Sequence, residues 1–269
     1  MAEPLPEYRV KARNTARHGE NPIHDDEFAR RHGFRGGLVP GVTVYAYLTH
    51  PLVAAFGSAW LERGTASVRF LRPVLEGEEV TITGSVTARQ PTGVSATLGA
   101  STPAGADCAV LTATIPAGSP TPANTTVYRA APLPAERPPV SRAHWGALEA
   151  LGTPEALYDD ARAAAYLESV GDAQPLYLGA SGFVHPAFLL DQANRAVDRN
   201  VRLGPWIHTG SVVRHLGAAR VGDTLATRGR VRSLYEKKGR EYVELDLLIV
   251  AGERARPVAH VLHTAIYTM

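Results

Sequence analysis

The sequence predicts an α+β fold made of two copies of one unit, each an antiparallel sheet wrapped around a central helix. Three observations carry this expectation. Two stretches free of Asp, Glu, Lys and Arg, Gly36 to Leu61 and Ala173 to Leu190, lie one in each half of the 269 residues. Each is followed by four strand-like runs broken at glycine-containing turns. The halves also correspond at a fixed offset of 145 residues: Gly37 with Gly182, Val39 with Val184, Val68 with Val213, Arg69 with Arg214, Gly77 with Gly222 and Gly84 with Gly229. One offset that holds across a helix, a strand and a turn is the mark of a duplicated structural unit.

In the first copy, Tyr8 to Ala16 reads as a strand and Asn21 to Asp26 as an irregular segment. Asp25 or Asp26 caps a short helix that runs to Arg31. Gly33 to Gly41 is a glycine-rich loop. Val42 to Phe56 is a buried helix, with Pro40 just before it and Gly57 just after. Pro40, Pro51, four glycines and several hydroxyls make a buried core helix the better reading of this uncharged stretch than a membrane span. Strands follow over 65–74, 79–88, 94–101 and 108–115.

Pro116 to Pro139 is rich in Pro, Ala, Thr and Ser and is expected to be an extended crossover. The N-terminal unit is set at 1–118, the Pro-rich linker at 119–160 and the C-terminal unit at 161–269. In the second copy, 163–170 reads as a strand and 184–201 as a helix with Phe188, Leu189, Ala193 and Val197 near helical spacing. Strands are expected at 207–216, 224–235, 242–250 and 258–267, with a hairpin around Lys237-Lys238-Gly239.

Composition narrows the function. Hydrophobic residues are 45% of the chain, enough for a sizeable core, and 28 basic against 26 acidic residues give a net charge of +2. That balance is no footprint for nucleic acid or an acidic membrane surface, although it leaves room for an anionic small molecule. A single cysteine, Cys108, excludes an intramolecular disulfide and any CxxC site. Residues 1–7 have no basic segment followed by an apolar run, which argues against a signal peptide. His260 and His263 point to opposite faces of a strand and make a poor metal pair, and no H-E-x-x-H, P-loop or G-x-G-x-x-G is present.

The chemistry-bearing segment is Asn21-Pro22-Ile23-His24, followed by Gly33-Phe34-Arg35-Gly36-Gly37-Leu38-Val39-Pro40-Gly41. It resembles the MaoC-like family of (R)-specific enoyl-thioester hydratases and dehydratases. That family's motif G-D-x-N-P-[ILV]-H precedes a glycine-rich loop ending in P-G at the start of a central helix. Arg69 to Glu78 resembles the family's strand-turn signature. The likeness is close over residues 8–90 and holds by element order elsewhere.

The resemblance implies a double hotdog fold and a lyase that adds water to, or removes it from, a 2-enoyl acyl-CoA or acyl-carrier thioester in fatty-acid chemistry. It implies no cofactor beyond the CoA or phosphopantetheine of the substrate, and no metal. The implied roles are His24 as acid–base catalyst, Asn21 in substrate contact, and Gly36, Gly37 and Gly41 in substrate binding. The Gly41 amide would polarise the thioester carbonyl at a helix N-terminus.

Aligned on Asn21 to His24, Gly19 stands where the family has its aspartate, and Glu20 is the adjacent substitute. The second copy shows the reverse loss. Gly171-Asp172-Ala173-Gln174-Pro175-Leu176-Tyr177 keeps the aspartate but carries Tyr177 in place of the histidine. Arg35 and Arg72 are candidates for the CoA phosphates or plain surface arginines. Two other readings stay open: a thioesterase using Glu20 or Asp26 with Gly41, and a non-catalytic acyl-thioester-binding subunit. The expected partners are an acyl thioester and, in a homodimer or hetero-oligomer, another hotdog chain; nucleic acid and membrane are not expected, and the expected location is cytoplasmic.

Overall fold

The computed structural model describes residues 3–268; Met1, Ala2 and Met269 lie outside it. Short strands β1 (Glu3–Pro4) and β2 (Tyr8–Lys11) lead through a 3₁₀ turn at Pro22–His24 into α1 (Asp26–Arg31), α2 (Gly41–Phe56) and α3 (Ser58–Arg63). Strands β3 (Thr65–Phe70), β4 (Glu79–Gln90), β5 (Gly93–Ser101) and β6 (Asp107–Pro116) complete the first unit. The crossing segment carries α4 (Arg142–Ala147) and β7 (Glu155–Leu157). The second unit follows with α5 (Asp160–Val170), α6 (Pro186–Asn200), β8 (Ile207–His215), β9 (Thr224–Lys237), β10 (Arg240–Ala251) and β11 (Arg256–Thr268).

All strands join one antiparallel sheet in the order β1-β4-β5-β6-β3-β8-β11-β10-β9-β7, with β2 also on β4. The seam between the units is β3 against β8, with Val68 opposite Ser211 and Ala66 opposite Val213. The two units thus join into one continuous sheet through the strands that directly follow the helical part of each. Helix α2 is buried along nearly its whole length, including Val42 to Leu48, as a helix apolar on every side must be. It packs against α6, whose apolar residues Ala193, Ala196 and Val197 are fully buried while Arg199 stays exposed. The β9–β10 hairpin closes through Lys238 and Gly239, both at positive φ, as a two-residue turn requires.

Three expectations change. Residues 163–170 are not a strand but the body of α5. Asp159 caps it by accepting from the Arg162 N–H, and its buried residues Ala163, Leu167 and Val170 recur at helical spacing. The first strand stops at Lys11, after which the chain leaves the sheet to reach the 3₁₀ turn. The crossover is more structured than its composition suggests. Tyr128 is buried against Leu248 and Val250, and its hydroxyl donates to Asp246 at 2.7 Å. Within 119–160, α4 buries Trp145 and β7 pairs with β9. Among the described residues no helix is long and apolar enough to cross a membrane.

Candidate active site at the junction of the two units

The segment before α2 is held by its own side chains. Asn21 starts the 3₁₀ turn, its Oδ1 accepting from the Ile23 N–H at 3.3 Å. Fully buried Ile23 packs with Leu38, Phe28 and Phe34, anchoring the turn beside the glycine-rich loop. Asp25 caps α1 through the Phe28 N–H at 2.8 Å. Asn21 also reaches the other unit: its Nδ2 donates to the Trp206 carbonyl at 2.9 Å and its Oδ1 accepts from the Trp206 N–H at 3.3 Å.

These constraints set the geometry of His24. Its Nδ1 donates to the Leu38 carbonyl at 2.6 Å, which fixes the tautomer and leaves Nε2 as the unprotonated, accepting nitrogen. Nε2 lies 3.5 Å from Asn21 Nδ2. Burial lowers the His24 pKa below the usual imidazole range, partly opposed by the Leu38 carbonyl, so the ring is a neutral base at pH 7. Among the described residues no carboxylate contacts this ring.

Asn21, His24 and Gly41 line a cavity of about 330 Å³. One wall is the N-terminal unit: the Leu38–Gly41 approach to α2 and the segment Phe70–Val74 that leaves β3. The other wall is the C-terminal unit, through Asn194 of α6, Trp206 to Thr209 leading into β8, Arg240 and Ile266. Among the described residues no Asp or Glu lines it. Gly41 opens α2, where the first amide groups have no intrahelical acceptor. A Cβ there would lie 2.9 Å from the Phe70 ring, so only glycine leaves both the amide and the ring in place.

The other residues singled out from sequence sit elsewhere. Glu20 is exposed and paired with Arg137 at 2.7 Å, outside the cavity lining. Gly36 and Gly37 are also outside the lining. Gly37 instead lets two backbones meet: a Cβ on it would be 2.2 Å from the His24 carbonyl oxygen. Its N–H donates to Asp26 Oδ1 at 2.8 Å, which occupies Asp26 as a loop brace that also pairs with Arg17. Arg35 pairs with Glu78 at 2.8 Å, while exposed Arg72 borders the cavity. Cys108 is buried and its Sγ donates to the Ala100 carbonyl. Among the described residues no group of three or more His, Cys, Asp or Glu is placed to hold a metal ion.

The second motif forms a separate, closed cluster. Asp172 is buried, with Oδ2 3.3 Å from His185 Nε2 and 3.2 Å from His50 Nδ1. His185 caps α6: its Nδ1 accepts from the Ala187 N–H, so its Nε2 carries the proton toward Asp172. Burial opposes the Asp172 charge, but the two histidines outweigh it and hold the carboxyl well below the usual range. Tyr177, at the lost histidine position, is fully buried against the His185 ring. Asp172 does not join His24; the histidines it meets come from the N-cap of α6 and from α2.

Asn194, Trp206 and His208 are cavity residues that sequence reasoning missed. They belong to the unit without the motif, and only the pairing of β3 with β8 brings them opposite His24. The inward alternation of β8 was the one available signal for His208.

No protein family's sequence model matches the chain, and no curated protein sequence matches it. Solved structures do. A protein from Chloroflexus aurantiacus named as a MaoC domain dehydratase aligns over 100% of this chain and 95% of its own, at 12% identity and a TM-score of 0.70. A conserved protein from Mycobacterium tuberculosis, described as having a double hotdog fold, aligns over 99% and 96% at 12% identity and a TM-score of 0.65. A protein from Lactobacillus plantarum named as an oleoyl thioesterase aligns over 100% and 98% at 12% identity and a TM-score of 0.56. With a duplicated α+β unit, one continuous sheet and a buried helix in each half, the chain is a double hotdog protein whose fold neighbours carry both dehydratase and thioesterase names.

Proposed function

We propose that the chain is an acyl-thioester hydratase/dehydratase, adding water to or removing it from a 2-enoyl thioester. The observation that carries this reading is His24, whose proton is pinned on Nδ1 by Leu38 and whose Nε2 serves a cavity that also holds the Gly41 helix start. In hydration, Nε2 takes a proton from water as the water oxygen bonds to C3 of the enoyl group. The electron pair of the double bond moves onto the thioester carbonyl, and the resulting enolate oxygen is met by the amide end of α2. His24 then returns its proton from Nε2 to C2, so one base balances the reaction, and dehydration is the reverse.

Thioester hydrolysis by the carboxylate route finds less support. That route needs an Asp or Glu beside the thioester, and the cavity lining has neither, with Glu20 and Asp26 engaged by Arg137, Arg17 and Gly37. The test is conversion of 2-enoyl-CoA to 3-hydroxyacyl-CoA across short, medium and branched chains, with free thiol followed in parallel. Hydration lost in His24→Ala, without thiol release, is the expected result. Thiol release instead favours a thioesterase, and binding without turnover favours a non-catalytic subunit.

A further inference from the structure

The side of the cavity facing His24 holds buried polar atoms with nothing to bond to. Asn194 Oδ1, Trp206 Nε1 and His208 Nδ1 are all buried without a hydrogen-bond partner, and all three residues line the cavity. Trp206 and His208 are only 5% and 8% exposed. Other unpartnered polar atoms, such as those of Tyr45 and Trp60, lie in the packed core, whereas these three border a space that a ligand can enter. Leaving such groups unpaired is costly, so a bound molecule that pairs them gains from it.

Their hydrogen-bonding types are complementary. The Trp206 indole N–H only donates. Asn194 spends its amide on Asp191 Oδ1 at 3.1 Å, so its free oxygen only accepts. His208 Nδ1 can do either. Its Nε2 is 2.9 Å from Ser211 Oγ, which is 3.1 Å from His263 Nδ1, and the one serine proton can serve either ring. One donor, one acceptor and one group of either kind match a hydroxyl, which donates once and accepts twice. A carboxylate would set its oxygens against the Asn194 oxygen, and a plain hydrocarbon would leave all three atoms unpaired.

Neighbouring contacts tie Trp206 and His208 to the His24 and Gly41 part of the cavity, which Asn194 also lines. The Trp206 backbone holds Asn21, whose amide faces His24 Nε2. The His208 ring stands edge-on to Phe70 at 4.8 Å, and Phe70 abuts Gly41. Resting on the hydratase reading above, we propose that Asn194, Trp206 and His208 hold the hydroxyl or water oxygen that the reaction adds or removes. The C-terminal unit would thereby supply the oxygen-holding groups for a base carried by the N-terminal unit.

The experiment compares calorimetric Kd values for a 3-hydroxyacyl-CoA and the saturated acyl-CoA of the same length. It is done in a His24→Ala background, where neither ligand turns over, with and without Trp206→Phe; Asn194→Leu serves if Trp206→Phe does not fold. The expected result is tighter binding of the hydroxyacyl thioester. Each substitution should weaken it roughly three- to tenfold while leaving the saturated ligand unchanged. Equal affinity for the two ligands, equal weakening of both, or binding of neither overturns the proposal. Hydration of 2-enoyl-CoA by the unsubstituted chain is measured separately, so a hydroxyl preference without turnover would sink the hydratase reading alone, and turnover without the preference would sink this proposal alone.

Discussion

His215 gives a sharp test of how the core treats charge. It is fully buried on β8, edge-on to Trp60 at 5.6 Å, with neither ring nitrogen partnered. Burial lowers its pKa to about 4, and that of His263 to about 3. Both fold as neutral rings, while in the unfolded chain each titrates near 6.5. Their contribution to stability is therefore fully present above pH 6.5 and is lost as pH falls toward the folded values, because the unfolded chain binds the extra protons. Between pH 7 and pH 5 each costs the folded state about 2 kcal/mol. Asp198 works the other way: burial and the neighbouring Asp191 raise its pKa to about 7, so its protonation favours the folded state over the same interval. The wild-type total mixes these opposing effects, and the informative quantity is a difference. In His215→Leu, similar in volume and uncharged, the fall in urea-unfolding free energy between pH 7 and pH 5 should be smaller than in wild type by about 2 kcal/mol. An identical fall in both proteins would refute a buried, neutral His215.

Three further outcomes follow. The acid limb of kcat/KM for the proposed hydration should lie below pH 6.5, because burial lowers the His24 pKa and the base works only when neutral; a limb above that value in a pH–rate profile would contradict the assignment. Gly37→Ala should cost about 1–3 kcal/mol in denaturant unfolding and reduce turnover further still, since the new Cβ meets the His24 carbonyl oxygen and must displace the backbone that carries the base; unchanged turnover would argue against that coupling. Asp172→Asn should destabilise by about 2–3 kcal/mol at pH 7 by removing the buried charge that His185 and His50 face, while leaving kcat within about twofold, because Asp172 is outside the cavity lining; calorimetric unfolding and saturating-substrate assays measure the two effects.

The repeating framework was legible because it rests on local signals. Uncharged stretches mark both central helices, alternation marks the long strands, and the constant offset joins Val68 to Val213, which lie on neighbouring strands of the seam. Misreadings arose where local signals are weak or ambiguous. Residues 163–170 are short and alanine-rich, and their helical state depends on the Asp159 cap and on which residues the rest of the chain buries. The crossover reads as a loop by composition, yet Tyr128 is drawn into the core by Asp246, more than a hundred residues away. Of the candidate site, Asn21, His24 and Gly41 were legible as a contiguous motif with its helix start. Asn194, Trp206 and His208 were not, because their relation to His24 exists only through the sheet that joins the units.

The two motif regions show what duplication has permitted. Each is built from the pre-helix loop of one unit and the central helix of the other: α6 contributes Asn194 opposite His24, and α2 contributes His50 opposite Asp172. In the first, the histidine is kept, the aspartate is gone and the space remains open. In the second, the aspartate is kept, Tyr177 fills the histidine position, and the carboxylate is met by His185 Nε2 and His50 Nδ1. An uncompensated carboxylate at that depth would be strongly destabilising, and Asp172 has these two partners. Gly19 in the first region is exposed and outside the cavity lining, and a Cβ there would meet Ala16 rather than His24. With no carboxylate against the His24 ring among the described residues, burial lowers its pKa and the ring stays neutral at pH 7. Under the proposal above, the groups that hold the reacting oxygen are uncharged and belong to the opposite unit.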